Sequence, residues 1–106
     1  MTTRTTAELP VACALPPADL EERRAGALGA LAAAVLERRE LPDGWALRFA
    51  PEAGRVPELA RVVELERACC AFLRFRLTVE PAQGPVWLEL TGPPGAKELL
   101  AELLTP

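Results

Sequence analysis

The sequence predicts a single α+β domain with two layers, in which helices pack on one face of a mostly antiparallel sheet. Apolar residues recur at helical spacing in three stretches and alternate at strand spacing in three others. The connections between these stretches are short, and two of them join neighbouring strands as hairpins. A chain of 106 residues is long enough for one modest core but not for two.

The N-terminal part is predicted to hold a tail, a short strand and a helix. Residues 1–9 are rich in threonine and are expected to form a flexible tail, so the folded domain is predicted to span 10–106. The apolar segment around Cys13 has the character of an edge strand. The proline pair that begins at Pro16 suits the first turn of a helix, which we expect to run to about Leu36.

Two hairpins and two further helices are predicted after this first helix. The expected elements are strands over 37–41 and 45–50 around a Pro-Asp-Gly turn, a helix over 57–73, strands over 75–80 and 86–91, and a helix over 96–104. The resulting order is β-α-β-β-α-β-β-α. Its first six elements have the order of a ferredoxin-like core, to which the chain adds one strand and one helix.

The composition excludes several classes of function. The chain has no histidine, no serine and a single lysine, so it cannot supply a serine triad, a Cys-His dyad or a histidine-ligated metal centre. Its net charge is -3 and its arginines are scattered among acidic residues, which argues against nucleic acid as a partner.

The cellular compartment is predicted from what the chain lacks. No apolar run approaches the roughly 20 residues that a membrane span needs. The N-terminus has no apolar stretch typical of a signal peptide, so a cytoplasmic location is expected. Because that compartment keeps thiols reduced and three cysteines is an odd number, no structural disulfide framework is predicted.

The most informative local feature is a pair of adjacent cysteines, Cys69 and Cys70, near the end of the second predicted helix. At 100° per residue, both fall on the apolar face of that helix, and Glu66 lies at the centre of the same face. A buried carboxylate is costly unless it is paired, protonated or facing a cavity. The best predicted partners are Arg24 and Arg23, on the inner side of the first helix.

The cysteines predict a site for a soft metal ion. If the strand that carries Cys13 runs beside the second helix, then Cys13, Cys69 and Cys70 would form a trigonal thiolate site. Thiolates prefer soft ions, so mercury(II), arsenite, cadmium or copper(I) is expected rather than magnesium or calcium. Zinc usually takes four ligands and would need Glu66 or an outside group as the fourth.

Two other functions remain open on the sequence alone. In a thiol redox enzyme, Cys13 and either Cys69 or Cys70 would exchange a transient disulfide. In a structural or interaction domain, the cysteines would be inert core residues, since cysteine is among the residue types most often buried. A variant of the metal hypothesis has two thiolates holding an organomercurial while Glu66 donates a proton to the departing carbon.

The segment from Leu65 to Phe75 resembles the core of a family of short bacterial proteins of largely uncharacterised activity. The core of that family reads Glu-Arg-x-Cys-Cys-x-Phe-Leu, and Ala71 stands where its members commonly have proline. The family also has an upstream Cys-x-Leu, found here at Cys13 to Leu15, and a Leu-Pro-Asp-Gly turn, found here at 41–44.

This resemblance covers nearly the whole chain after Leu9. It implies a loose association with heavy-metal resistance and with mercury-type regulators. On matching positions it points to Cys13, Cys69, Cys70 and Glu66, the residues that the helical projection also selects. A metal ion or a small thiol-reactive molecule is therefore the expected ligand.

The sequence also leaves self-association open. Trp87 is predicted on the outward face of its strand, and an antiparallel sheet of this kind has unpaired edges. Both features are common in proteins that form homodimers.

Overall fold

The structure is a computed structural model that describes residues 27–104, with side chains from Leu31 onwards except those of Cys69 and Leu103. The described part contains three helices and four strands. They are α1 (Ala27–Ala34), β1 (Glu37–Leu41), β2 (Gly44–Phe49), α2 (Arg55–Cys69), β3 (Arg74–Val79), β4 (Val86–Thr91) and α3 (Ala96–Leu103). The α+β class predicted from the sequence is confirmed. The tail and the first predicted strand lie outside the described residues.

The four strands form one antiparallel sheet with the order β1-β2-β4-β3. Both predicted hairpins are present, as the pairs β1–β2 and β3–β4. The two central strands, β2 and β4, place Leu47 opposite Leu88 and Phe49 opposite Val86. All four of these side chains are buried, which explains why these strands take the centre of the sheet.

The core lies on one face of the sheet, and all three helices contribute to it. Leu31 of α1, Leu59 of α2 and Leu100 of α3 belong to a single cluster with the inward residues of β2 and β4. Trp45 secures α3 over this face, because its indole Nε1 donates a hydrogen bond of 3.0 Å to the carbonyl oxygen of Lys97. The arrangement therefore has two layers, as predicted.

The finer prediction of a ferredoxin-like core is not confirmed. In that arrangement the N-terminal strand would separate the strands that here are β2 and β3. The structure instead places β4 between them, paired to both. The proposed neighbourhood of Cys13 and the second helix depended on that strand position, and so it loses its topological support.

The second helix is shifted relative to its predicted bounds of 57–73. It begins at Arg55, after Gly54 in the left-handed conformation, and Pro57 is accommodated in its first turn. It ends at Cys69, and Cys70 has the non-helical dihedral angles φ -118° and ψ 80°. The prediction that both cysteines are helical is therefore wrong for Cys70.

Candidate functional site

Glu66 is the only buried charged residue in the described part of the chain, with 2% of its surface exposed. It lies three and four residues from the inward-facing Val63 and Val62 and within the last two turns of α2. The prediction that a carboxyl group occupies the inner face of this helix is confirmed. Such a position costs free energy that an aliphatic side chain would not, and pairing or hydrogen bonding of the carboxyl group offsets that cost.

Cys70 is fully buried and lies one turn after Glu66. Its backbone N–H donates a hydrogen bond of 2.6 Å to the carbonyl oxygen of Glu66, which closes the last turn of α2. Its thiol belongs to a small apolar cluster with Phe72 and Ala96, and Leu73 and Leu99 pack against that cluster. The cluster connects the end of α2 to the beginning of α3.

A close approach of the backbone covers this cluster. A Cβ atom at Gly92 would lie 2.7 Å from the Cβ of Ala96 and 3.4 Å from the carbonyl oxygen of Phe72. Only glycine allows the segment before α3 to pass so near to Phe72 and Ala96, because a side chain at position 92 would push the segment away from them. The Gly-Pro-Pro-Gly sequence thus helps to seal the surroundings of Cys70.

The two helix ends at Cys70 carry dipoles of opposite sign. The C-terminal end of α2, the negative end of its dipole, lies at Cys70. Ala96, the first residue of α3, brings the positive end of a second helix into the same cluster.

The remaining predicted site residues are not placed by the structure. Cys13, Arg23 and Arg24 lie outside the described residues, and the side chain of Cys69 is likewise not described. Among the side chains that the structure describes, no group of three or more cysteine, aspartate or glutamate residues is arranged to hold a metal ion. The three-thiolate site therefore stays a prediction.

Arg48 and Arg76, the arginines of β2 and β3 that pair with outer-face residues, lie on the side of the sheet opposite Glu66. Arg48 donates from Nε to Glu37 at 2.9 Å, and Arg76 lies 4.0 Å from Glu89. Neither side chain is directed to the layer that contains Glu66.

An ordered polar cluster on this outer face was missed by the sequence reasoning. Glu37 accepts hydrogen bonds from Arg48 and from Arg39, at 2.9 and 3.0 Å, and these bonds hold the pKa of Glu37 below its ordinary value. The guanidinium carbon of Arg39 lies 4.7 Å from the centre of the Trp87 ring. Trp87 is therefore half-buried under an arginine and not simply exposed.

In the part of the chain that the structure describes, we find no helix with the length and apolar character required to cross a bilayer.

Comparisons with models of protein families, with curated proteins and with solved structures found no significant match to this chain.

Proposed function

We propose that this chain binds a soft heavy-metal or metalloid ion, such as mercury(II) or arsenite, through the thiolates of Cys13, Cys69 and Cys70. The observation that carries the proposal is the burial of Glu66 one turn from Cys70, with exposed fractions of 2% and 0%. A buried carboxyl group one turn from a buried thiol costs more than plain packing would, whereas beside a metal site it can orient ligands or accept a proton. The resemblance of the Cys-Cys core to proteins associated with metal resistance points the same way.

Glu66 has a separate role in this proposal. It takes up the proton that a thiol releases on binding the metal, or it orients the ligands from beside them, and Arg24 or Arg23 would hold it in place. A reducing compartment such as the cytoplasm would keep the three thiols available. Because Cys70 is fully buried, metal entry requires a local opening of the end of α2, and binding is expected to be slow.

The burial of Cys70 also supports a second function, that of an interaction domain with inert cysteines. The contacts of Cys70 with Phe72 and Ala96 are those of an ordinary core residue. A thiol redox enzyme is favoured less, because its attacking thiolate needs an accessible and electropositive position. Cys70 is instead fully buried in a closed apolar cluster.

A titration distinguishes metal binding from the inert domain. Reduced protein is titrated with mercury(II) or arsenite while the sulfur-to-metal absorption is recorded in the ultraviolet. We expect one equivalent to bind, and we expect Cys13→Ala to weaken binding by at least tenfold because it removes one of the three ligands. An unchanged affinity in Cys13→Ala would show that this cysteine is not a ligand. If no sulfur-to-metal absorption developed at any ratio of metal to protein, the interaction domain with inert cysteines would be favoured instead.

Two glutamate variants on the same helix distinguish the role of the buried Glu66 carboxyl group from that of an exposed one. Glu66→Gln keeps the size of the side chain but removes the buried ionisable group one turn before Cys70. Glu64→Gln is the matched control, since the Glu64 side chain is 75% exposed. We expect Glu66→Gln to change the pH dependence of metal binding and Glu64→Gln to leave it unchanged.

A further inference from the structure

Strand β3 is an edge of the sheet within the described residues, because β4 is its only neighbour there. The direction of its backbone groups follows from its pairing with β4. The N–H of Glu80 donates to the carbonyl oxygen of Pro85 at 3.2 Å, in line with the β3–β4 register. Since these directions alternate along a strand, the N–H and C=O groups of Phe75, Leu77 and Val79 face away from the sheet.

The side chains of β3 divide into an apolar row and a polar row. On the inner face, Phe75 and Leu77 are half-buried and Val79 is 56% exposed, so the core does not cover this row completely. On the outer face, Arg74, Arg76, Thr78 and Glu80 are all exposed. The strand therefore offers unused backbone bonds together with uncovered apolar surface.

The other edge of the sheet is protected. Strand β1 has charged residues on both of its faces, with Glu37 and Arg39 outward and Arg38 and Glu40 inward. Charge on both faces of an edge strand disfavours the addition of another strand. The two edges thus differ, and β3 is the edge that remains suited to pairing.

We propose that two copies of this chain pair through β3, antiparallel, with Leu77 of each copy at the two-fold axis. In this register Phe75 of one copy lies opposite Val79 of the other, which covers the exposed valine. Arg74 lies opposite Glu80, an attractive charge pair, and Arg76 lies opposite Thr78. The backbone groups of Phe75, Leu77 and Val79 are those that face outward, so the register also uses the available hydrogen bonds.

Neighbouring registers are less favourable. A shift that places Arg76 at the axis sets the two copies of this arginine against each other, and like charges directly opposite are destabilising. A shift that places Thr78 at the axis sets Phe75 opposite Pro81, which has no N–H to donate. Only the register centred on Leu77 combines charge pairing, apolar contact and a full set of bonds.

The first test measures mass over a range of protein concentrations by analytical ultracentrifugation of the full chain. We expect a concentration-dependent dimer at twice the 11.4 kDa of one chain. Glu80→Arg places an arginine opposite Arg74 of the other copy, once at each end of the paired strands. We expect this repulsion to weaken the dimer by roughly tenfold. The double variant Arg74→Glu with Glu80→Arg should restore it, and Glu64→Arg, the same charge change on exposed α2, should have no effect.

The second test reports the register by cysteine crosslinking. We expect Leu77→Cys to form a disulfide-linked dimer under mild oxidation, because residues paired at a two-fold axis lie within disulfide reach. Arg76→Cys and Thr78→Cys are the matched controls and should not crosslink beyond the unsubstituted chain. A monomer at every concentration, a dimer that Glu80→Arg does not weaken, or preferential crosslinking at 76 or 78 would overturn the proposal.

Discussion

A carboxyl group inside an apolar core is expensive, and Glu66 places one a single turn before the buried Cys70. The position of Glu66 could be predicted because helical geometry fixes which residues share a face, whatever else the fold does. The conformation of Cys70 could not be predicted in the same way. No glycine or proline follows it to mark the end of the helix, and at this point Cys70 and Phe72 cluster with Ala96 of the third helix.

The burial of Cys70 predicts that its thiol is protected from chemical reagents. With no exposed surface, it should react with a bulky thiol reagent at least about a thousandfold more slowly in the folded protein than in denaturant. The rates are measured by mass spectrometry of the labelled peptide. The variant Ala71→Cys is the matched control, since Ala71 is the exposed neighbour and should react quickly. Equal rates for the two thiols would show that the cluster is open.

On the outer face, the organised charges around Glu37 were missed for a different reason. Sequence spacing shows which face a strand residue takes, but not which residues of other strands lie beside it. The β1–β2 hairpin places Glu37 opposite Arg48, but the pairing of Arg48 with Trp87 depends on the sheet order. Because the pKa of Glu37 is lowered in the folded state, these bonds stabilise the protein near neutral pH, and their contribution is lost as the pH falls through the folded pKa.

At the scale of elements, the helices and strands after residue 36 were predicted with the correct type. All four strands were located to within one residue at either end. Alternation of apolar residues located β2, β3 and β4, because one face of each meets the core, whereas the Pro-Asp-Gly turn located the mostly charged β1. Helix ends were less certain, since α2 begins two residues before its predicted start. Gly54 in a left-handed conformation permits that earlier start, and proline is tolerated within a first turn.

Gly44 shows how one element constrains another. It lies opposite Thr91 in the register, and a Cβ at this position would stand 1.9 Å from the carbonyl oxygen of Leu90. The Leu-Pro-Asp-Gly sequence is therefore more than a turn, because its glycine permits the close approach of β4.

The turn between β3 and β4 predicts a stabilising substitution. Ala82 and Gln83 have φ angles of 58° and 61°, and Gly84 donates to the carbonyl oxygen of Pro81, as in a type I′ turn. These conformations are costly for residues with a Cβ. The double variant Ala82→Asn with Gln83→Gly should therefore raise the free energy of unfolding by about 1 kcal/mol, measured in denaturant.

A glycine introduced elsewhere provides the control for this prediction. Ala60 lies in the exposed part of α2, where Ala60→Gly should lower the free energy of unfolding by about 1 kcal/mol. Changes of opposite sign in the free energy of unfolding would distinguish relief of strain in the turn from a general effect of introducing glycine. A loss of stability in the turn variant would contradict the type I′ assignment.

At the scale of the whole molecule, the class and the layering followed from the sequence, but the order of the strands did not. Alternation identifies strands without saying which of them pair, so the ferredoxin-like order was a topological analogy. Burial gives the physical reason for the observed order. Val86, Leu88 and Leu90 are all nearly inaccessible, and a strand with such an inner face belongs at the centre of the sheet, between β2 and β3.

The dependence of strand order on long-range contacts also limited what the sequence could establish about the site. Glu66 and Cys70 come together because one helix carries them to one turn. The approach of Cys13 depends on long-range topology, and the strand position that would have guided it is filled by β4. The three-thiolate proposal therefore depends on chemical arguments, namely the adjacent cysteines and the buried carboxyl group.

The most direct test of that proposal is the number of sulfur atoms bonded to the metal. X-ray absorption spectroscopy of the reduced protein loaded with one equivalent of mercury(II) counts them. We predict three sulfur ligands, and two in Cys13→Ala, because each thiolate supplies one bond. Two sulfur ligands in the unsubstituted chain, or mercury that is lost on dialysis, would contradict the three-thiolate site.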